Sequence, residues 1–225
     1  MKKLENTLKM LTLLLIVAFT ACKKNNNETK PEPKPITEDE LVGYQLAVAF
    51  SSPAHNVPPR LFHFAKVGDE VIATMDGVQS RRARSVKVTD NRFTFDSDGD
   101  GKIVYEFNLI RNEKGIVTMG SYKYQNTNDP AITMSYAVIS PNDFPSVKGK
   151  TFTSANNNYG LKFTEDTWTF TAVAGKTGIF YEIAKGAWKG RLDNLDYMGF
   201  YLLLDNNQLG LFLIREGSEQ TPVFQ

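Results

Sequence analysis

Three regularly spaced acidic residues form the pattern in this chain closest to a metal-binding loop. Asp96, Asp98 and Asp100 occupy positions 1, 3 and 5 of a calcium-loop pattern, with Gly101 at position 6. Because Ca²⁺ takes about six to eight oxygen ligands, these carboxylates could supply several of them. Position 12, where a bidentate Glu belongs, is instead Phe107. We expect a hairpin turn here that binds Ca²⁺ weakly or not at all, and no other cofactor.

The two histidines, His55 and His63, are the other candidates for metal or haem ligands. They lie eight positions apart with two prolines between them, whereas ligand pairs usually have tighter spacings and further donors nearby. His63 alternates with Phe62 and Phe64, so we expect its side chain to face outward from a strand.

Basic and aromatic residues supply the candidates for ligand binding. Arg81, Arg82, Arg84 and Lys87 form a basic run. The run could bind an anionic sugar or a phosphate, or it could be charge on an edge strand that discourages aggregation. Trp188 has Gly and Lys neighbours, which predicts an exposed turn where an indole could stack on a sugar ring.

Covalent catalysis finds little support in the sequence. Cys22 is the single cysteine, and no Gly-x-Ser-x-Gly elbow is present. A carboxylate pair could be drawn from the 25 acidic residues in many ways, and the sequence does not select one. An envelope hydrolase therefore remains an alternative to a non-catalytic protein.

Composition sets broad limits on function. The 26 Lys and Arg residues nearly balance the acidic ones, giving a net charge of +1, which argues against a nucleic-acid binder. A hydrophobic fraction of 41% excludes a wholly disordered chain.

The N-terminus predicts an export signal. Lys2, Lys3 and Lys9 precede an uncharged run of 12 residues, 10–21. This run is too short to span a membrane, which takes about 20 apolar residues. It ends in Phe19-Thr20-Ala21 beside Cys22.

Residues 19–22 resemble the lipobox of bacterial lipoproteins, although Phe19 stands where that family usually has Leu, Val or Ile. The resemblance implies a signal peptide at 1–21, cleavage before Cys22, and anchoring by acyl chains such as palmitate. Residues 22–40 are polar and then Pro-alternating, which predicts a flexible tether. The Asn-rich style is similar to lipoproteins of the Bacteroidota, where Lys23 implies the outer membrane. Whether the body faces the periplasm or the cell surface stays open.

The body predicts an all-β fold. Apolar residues alternate along 103–109 and 132–138, and residues 199–204 and 209–214 flank Asp205-Asn-Asn-Gln208, a hairpin signal. The best local helix signal is Thr37-Glu-Asp-Glu40, a capping-box pattern that supports one or two turns.

Internal similarity predicts two copies of one antiparallel meander, at 41–140 and 147–225, joined through two closely spaced prolines. Residues 89–95 match 164–170, residues 103–107 match 179–183, and residues 119–122 match 198–201. The first copy carries an insertion at 51–82, where we expect strands near Leu61–Lys66 and Glu70–Met75.

Gly43-Tyr44-Gln45-Leu46 is similar to the opening strand of lipocalin-type barrels. Two small barrels or half-barrels and one large sandwich both remain possible.

We expect a binding or accessory module for a small apolar or carbohydrate ligand or a partner protein. A structural or inhibitory protein without a small ligand is a further alternative. The asymmetric insertion singles out Arg60, His63, Arg82 and Arg84 as polar candidates, with Trp188 outside it.

Overall fold

The structure is a computed structural model that describes residues 34–54, 56–154, 159–173, 176–203, 209–215 and 223–224. From Pro35 onward the chain forms one compact unit. The signal peptide, Cys22, His55 and the turn Asp205–Gln208 lie outside the described residues. No helix among the described residues is both long and apolar enough to cross a membrane.

The body is all-β, as the alternation predicts, and every described strand pairing is antiparallel. One short helix, α1 (Glu38–Leu41), precedes the strands. Thr37 occupies its N-cap position, but its side chain makes no capping hydrogen bond, so the predicted capping box is not formed. Ile36 and Leu41 are buried, and the packed body therefore begins earlier than residue 41.

Nine strands form the first meander. They are β1 (Tyr44–Ser51), β2 (Arg60–Val67), β3 (Glu70–Asp76), β4 (Arg81–Ser85), β5 (Val88–Thr89), β6 (Arg92–Asp96), β7 (Ile103–Arg111), β8 (Val117–Asn126) and β9 (Thr133–Pro141). The predicted insertion strands are confirmed as β2 and β3, and Gly68 turns between them with a φ of +61°.

The first meander is an incomplete ring of two sheets. One sheet has the order β4-β3-β2-β1-β9 and the other β5-β6-β7-β8. At one junction β8 lies beside β9, where the Tyr122 hydroxyl donates to the Ser135 carbonyl. At the other, Arg84 donates from Nε and Nη2 to the carbonyls of Asp96 and Ser97 at 3.1 and 2.7 Å. Arg84 thus ties edge strand β4 to the end of β6.

Aromatic side chains fill the interior of this ring. Phe62 packs edge-to-face against Phe93, Phe95, Tyr105 and Phe107, with ring centroids 5.1–6.5 Å apart. These rings interdigitate as in other protein cores and leave no room at the centre for an enclosed ligand. A ligand of the first meander would therefore bind at an end of the ring or on an outer face.

Eight strands form the second meander as a single sheet in chain order. They are β10 (Thr151–Thr153), β11 (Gly160–Phe163), β12 (Thr167–Phe170), β13 (Gly178–Ala184), β14 (Ala187–Leu192), β15 (Leu195–Leu203), β16 (Leu209–Arg215) and β17 (Val223–Phe224). Side chains from β10 to β16 share one core cluster, so this sheet curls around its own inner face.

Two of the three internal matches agree with the strand order. The first match, 89–95 with 164–170, covers most of β6 and all of β12. The second match, 103–107 with 179–183, lies on β7 and β13. Since β7 pairs with β6 and β13 pairs with β12, both matches follow the same strand order. The third match is wrong topologically. Residues 119–122 lie on β8, which pairs with β7, whereas residues 198–201 lie on β15, which is separated from β13 by β14.

The two meanders pack against each other through the outer faces of their sheets. Ala47 and Leu61 of the first meander belong to the same buried cluster as Met198, Phe200 and Ile214 of the second. The Gln45 side-chain amide also donates to the Tyr201 carbonyl across this boundary. We call the boundary the seam, and it brings polar residues of both meanders together.

Candidate functional site: a groove at the seam

A groove of about 380 Å³ opens where the loop between β3 and β4 meets the outer face of the second meander. This volume lies within the range of about 300–1,000 Å³ that is typical of small-ligand sites, which often lie between packed units. We call it the seam groove, and it is lined by Val78, Gln79, Ser80, Arg81, Ile179, Phe180, Tyr181, Lys189, Gly190, Arg191, Asp196 and Tyr197.

Strand alternation builds the floor of the seam groove. Ile179 and Tyr181 of β13 point outward and are 71% and 60% exposed. The residues opposite them on β14 are Arg191 and Lys189, and Arg191 in turn faces Asp196 on β15. Because directly opposed residues in an antiparallel sheet share a face, these five side chains form one surface.

Planar polar groups converge at one side of this surface. The Gln79 amide nitrogen donates to Asp196 Oδ2 at 3.2 Å, and Arg191 Nε lies 4.0 Å from Asp196 Oδ1. An amide of the first meander and a guanidinium of the second thus flank one carboxylate. The groove therefore combines the exposed ring of Tyr181 with both donors and acceptors of hydrogen bonds.

A buried ionic network lies beneath the groove. Asp76 is fully buried, and His63 Nε2 lies 2.9 Å from its Oδ2. Lys189 Nζ lies 2.7 Å from Asp76 Oδ1, which is an ion-pair contact whose angles do not meet those of a hydrogen bond. Lys189 Nζ also donates to the Ser80 carbonyl at 3.1 Å. Burying ions is costly unless they are paired, so each member of this network depends on the others.

The charge of Asp76 is determined by two opposing effects. Burial acts to raise the pKa of its carboxyl, but the hydrogen bond from His63 and the contact with the Lys189 ammonium outweigh burial. The net result is that the pKa of Asp76 lies below its ordinary value of 3.8. Asp76 is therefore a carboxylate at neutral pH, and it holds Lys189 in place at the groove.

The paired His63 and Asp76 have no hydroxyl nucleophile bonded to them among the described residues. Nucleophilic catalysis needs a hydroxyl or thiol within hydrogen-bond reach of the base, and no described serine or threonine bonds to His63. Both side chains also lie under the second meander, His63 being only 9% exposed. His63 does face outward from β2, as its alternation with Phe62 and Phe64 predicts, but the second meander covers this face at the seam.

The predicted exposure of Trp188 is wrong. It lies in strand β14 and is fully buried, packed at 4.8 Å from Trp168, and is not on an exposed turn. A Cβ on Gly190 would lie 2.9 Å from Trp168 Nε1 and 3.0 Å from Trp188. A Cβ on Gly199 would lie still closer to Trp188. Gly190 therefore makes room for the indoles, whereas Gly186, with a φ of +65°, lies in the turn that precedes β14. The predicted turn exists, but Trp188 lies in the strand after it.

The predicted arginines lie outside the seam groove. Arg60 and Arg82 line a different pocket, at one end of the first meander. Arg82 and Arg84 belong to β4, an edge strand, in agreement with one of the two interpretations of the basic run. Arg81 alone of that run lines the groove, at the start of β4.

The acidic loop forms the predicted hairpin turn between β6 and β7. Both carboxylate oxygens of Asp96 accept backbone N–H groups, from Gly99 and Gly101. Asp98 pairs with Arg82, and Asp100 pairs with Lys102. Within the described part of the chain no group of three or more His, Cys, Asp or Glu side chains is placed to hold a metal ion.

Sequence reasoning missed the residues that build the seam groove, above all Tyr181, Asp196 and Asp76. Their strands were predictable, but not the packing of one meander on the other, which decides which outward residues are covered. Asp76 follows the apolar residues of a predicted strand, so the sequence indicates only the polar residue that commonly ends a strand.

Searches of protein-family models, of curated proteins and of solved structures gave no significant match to this chain.

Proposed function

We propose that this protein is an outer-membrane lipoprotein that acts as a non-catalytic binding module and takes a small carbohydrate in the seam groove. The lipid anchor follows from the lipobox resemblance of residues 19–22. The observation that supports the ligand class is the exposed Tyr181 ring beside the Gln79–Asp196–Arg191 group.

Sugars match this arrangement through two kinds of contact. The C–H face of a pyranose packs on an aromatic ring, and its hydroxyls both donate and accept hydrogen bonds. Asp196 offers acceptor oxygens, while Arg191 and Gln79 offer donors, all on the surface that carries Tyr181. A lipid tether would keep this surface close to envelope glycans at high local concentration.

The filled core favours this site over an interior one. A lipocalin-like protein with an apolar ligand would need an enclosed cavity, but aromatic rings occupy the centre of the first meander. The seam groove is instead open and lined by both polar and apolar groups. These features support a carbohydrate ligand more than a fatty acid.

Binding to a panel of neutral oligosaccharides, measured by calorimetry on the full-length lipoprotein in detergent, tests the proposal. Tyr181→Ala should weaken binding of any sugar that binds by about tenfold or more, equivalent to about 1.4 kcal/mol. Tyr159→Ala is the matched control, since Tyr159 is also an exposed tyrosine of the second meander but lies outside the groove. Equal loss in both variants, or no binding across the panel, would contradict the proposal.

A further inference from the structure

A second pocket lies at one end of the first meander, and Ser80 is the single residue that its lining shares with the seam groove. It has a volume of about 240 Å³ and is bounded by the ends of strands from both sheets of the ring. We call it the Arg60 pocket, and it is lined by Phe50, Val57, Arg60, Met75, Ser80, Arg82, Ser97, Asp98, Ile103, Tyr105, Tyr124, Asn126 and Ile132.

Arg60 is the half-buried cation of this pocket. Its Nη1 donates to the carbonyls of Pro58 and Pro59 at 2.6 and 3.3 Å, which fixes the guanidinium at the start of β2. Gly77 allows this position, because a Cβ there would lie 2.9 Å from Arg60 Nε. The guanidinium is therefore held in place by backbone groups and by a close approach to glycine.

No described carboxylate pairs with Arg60. An arginine has five N–H donors, and only those on Nη1 have acceptors here, so the donors on Nε and Nη2 are unused within the described structure. Asp98 is the single acid of the lining, and it pairs with Arg82, whose Nε is 3.1 Å away. With Arg60, Arg82 and Asp98 all ionised, the pocket carries a net positive charge.

Three aromatic residues line the same pocket as this cation and carry no opposite charge. Phe50, Tyr105 and Tyr124 contact one another with ring centroids 5.0–6.2 Å apart. Burial raises the pKa of both tyrosine hydroxyls, so they are neutral at physiological pH. Burial also lowers the pKa of Arg60 from its ordinary value, as expected for a cation whose charge is poorly compensated.

We propose that the Arg60 pocket binds the carboxylate of a small ring-bearing acid, such as a sugar acid or an aromatic acid. A guanidinium matches a carboxylate with two parallel hydrogen bonds, and the surrounding rings suit a flat six-membered ring. The volume is just below the usual range for drug-sized ligands, so the ligand is about one ring in size. This site is independent of the carbohydrate proposed for the seam groove.

Calorimetric titration of the full-length lipoprotein with glucuronate and with benzoate tests the proposal. Glucose, benzyl alcohol and inorganic phosphate serve as comparison ligands. At least one acid should bind, while its neutral counterpart should not, and added chloride should weaken binding. Absence of binding by either acid up to about 10 mM would overturn the proposal, since weaker binding corresponds to less than about 3 kcal/mol. So would equally tight binding of the neutral counterparts or of phosphate.

Three arginine variants locate the site. Arg60→Met should weaken acid binding at least tenfold, and Arg60→Lys, which keeps the charge but loses the planar fork, should bind with intermediate affinity. Arg92→Met is the matched control, because Arg92 is an exposed arginine of the same meander outside the pocket, and it should bind like wild type.

Two further measurements separate ligand binding from a structural role. Arg60→Met removes two hydrogen bonds to the Pro58 and Pro59 carbonyls but no ion pair, so the ligand-free melting temperature should stay close to that of wild type. A large fall would assign Arg60 to stability and overturn the proposal. Tyr181→Ala, which changes the seam groove, should leave acid binding unchanged. The proposal for the seam groove and the proposal for the Arg60 pocket can therefore fail independently of each other. Wild-type affinity in both Arg60 variants would also overturn the proposal.

Discussion

Lys189 of the second meander places its ammonium 2.7 Å from the carboxylate of Asp76 in the first, with both side chains buried. Lys189 gains this counter-ion only when the two meanders are packed together, because Asp76 lies on a different sheet. The ionic contact therefore favours one arrangement of the docked meanders, and apolar residues of both meanders also pack across the seam.

Asp76→Asn should strongly destabilise the protein at pH 7, by about 3–5 kcal/mol, because it leaves the Lys189 ammonium buried without a counter-ion. The loss should depend on pH. Since the pKa of Asp76 is lower in the folded state than its ordinary value of 3.8, its stabilisation is complete above that value. It is lost as the pH falls through the native pKa, so the two proteins should converge in acid. Urea unfolding at several pH values measures this.

Asp69→Asn is the control for Asp76, because Asp69 lies exposed in the turn between β2 and β3. Its effect on the free energy of unfolding should stay within about 0.5 kcal/mol at pH 7. A similar small effect from Asp76→Asn, or a difference that does not change with pH, would contradict the role given to the buried carboxylate.

Gly190→Ala should destabilise the second meander by about 1–3 kcal/mol, because the added methyl group overpacks the core around two tryptophans. Its Cβ would lie 2.9 Å from both the Ile179 carbonyl and Trp168 Nε1. Denaturant unfolding followed by tryptophan fluorescence reports on the same two rings. Gly43→Ala, whose Cβ would meet only the Glu40 carbonyl at 3.5 Å, should be nearly neutral. Comparable effects of the two substitutions would disprove this account.

Calcium titration should show no binding tighter than about 10 µM, the affinity of a sensor loop. The physical reason is that Asp96 is committed to the backbone of its own turn and Asp98 and Asp100 to basic side chains. Calorimetry on protein treated with a chelator tests this. A dissociation constant below 10 µM that Asp98→Asn abolishes would show that these contacts give way to the ion.

Cys22→Ser should abolish incorporation of labelled lipid and leave a soluble or unprocessed protein, because two acyl chains are what make such an anchor stable. Phe19→Leu, which restores the residue that the lipobox family usually has, should keep or improve labelling. If processed Cys22→Ser protein still fractionates wholly with membranes, the lipoprotein assignment of this chain is wrong.

Local patterns predicted most of the strands and turns, because each depends on a few neighbouring residues. The alternation over 103–109 became β7, and the Gly68 and Asp96–Gly101 turns lie where their residue types favour positive φ or tight reversal. Even the internal matches held wherever two consecutive strands pair directly, as β6 with β7 and β12 with β13 do.

The candidate sites were less predictable, because they depend on contacts between residues distant in sequence. Arg60 and Arg82 were chosen from the insertion, and the structure does place them in one pocket. His63 and Trp188 were assigned outward positions from their neighbours alone. The sequence contains no local sign that a second meander covers the outer face of β2, or that glycines on β14 and β15 accommodate an indole.

The pairing of β1 with β9 has a consequence for biogenesis. A chain made from its N-terminus exposes one edge of β1 until residues 133–141 emerge, an interval on the order of 5–15 s at ordinary rates of synthesis. Throughout that time the strand offers unpaired backbone groups to any other extended chain. Export in an unfolded state, with a holding chaperone bound until β9 is available, would protect this edge better than folding as the chain emerges.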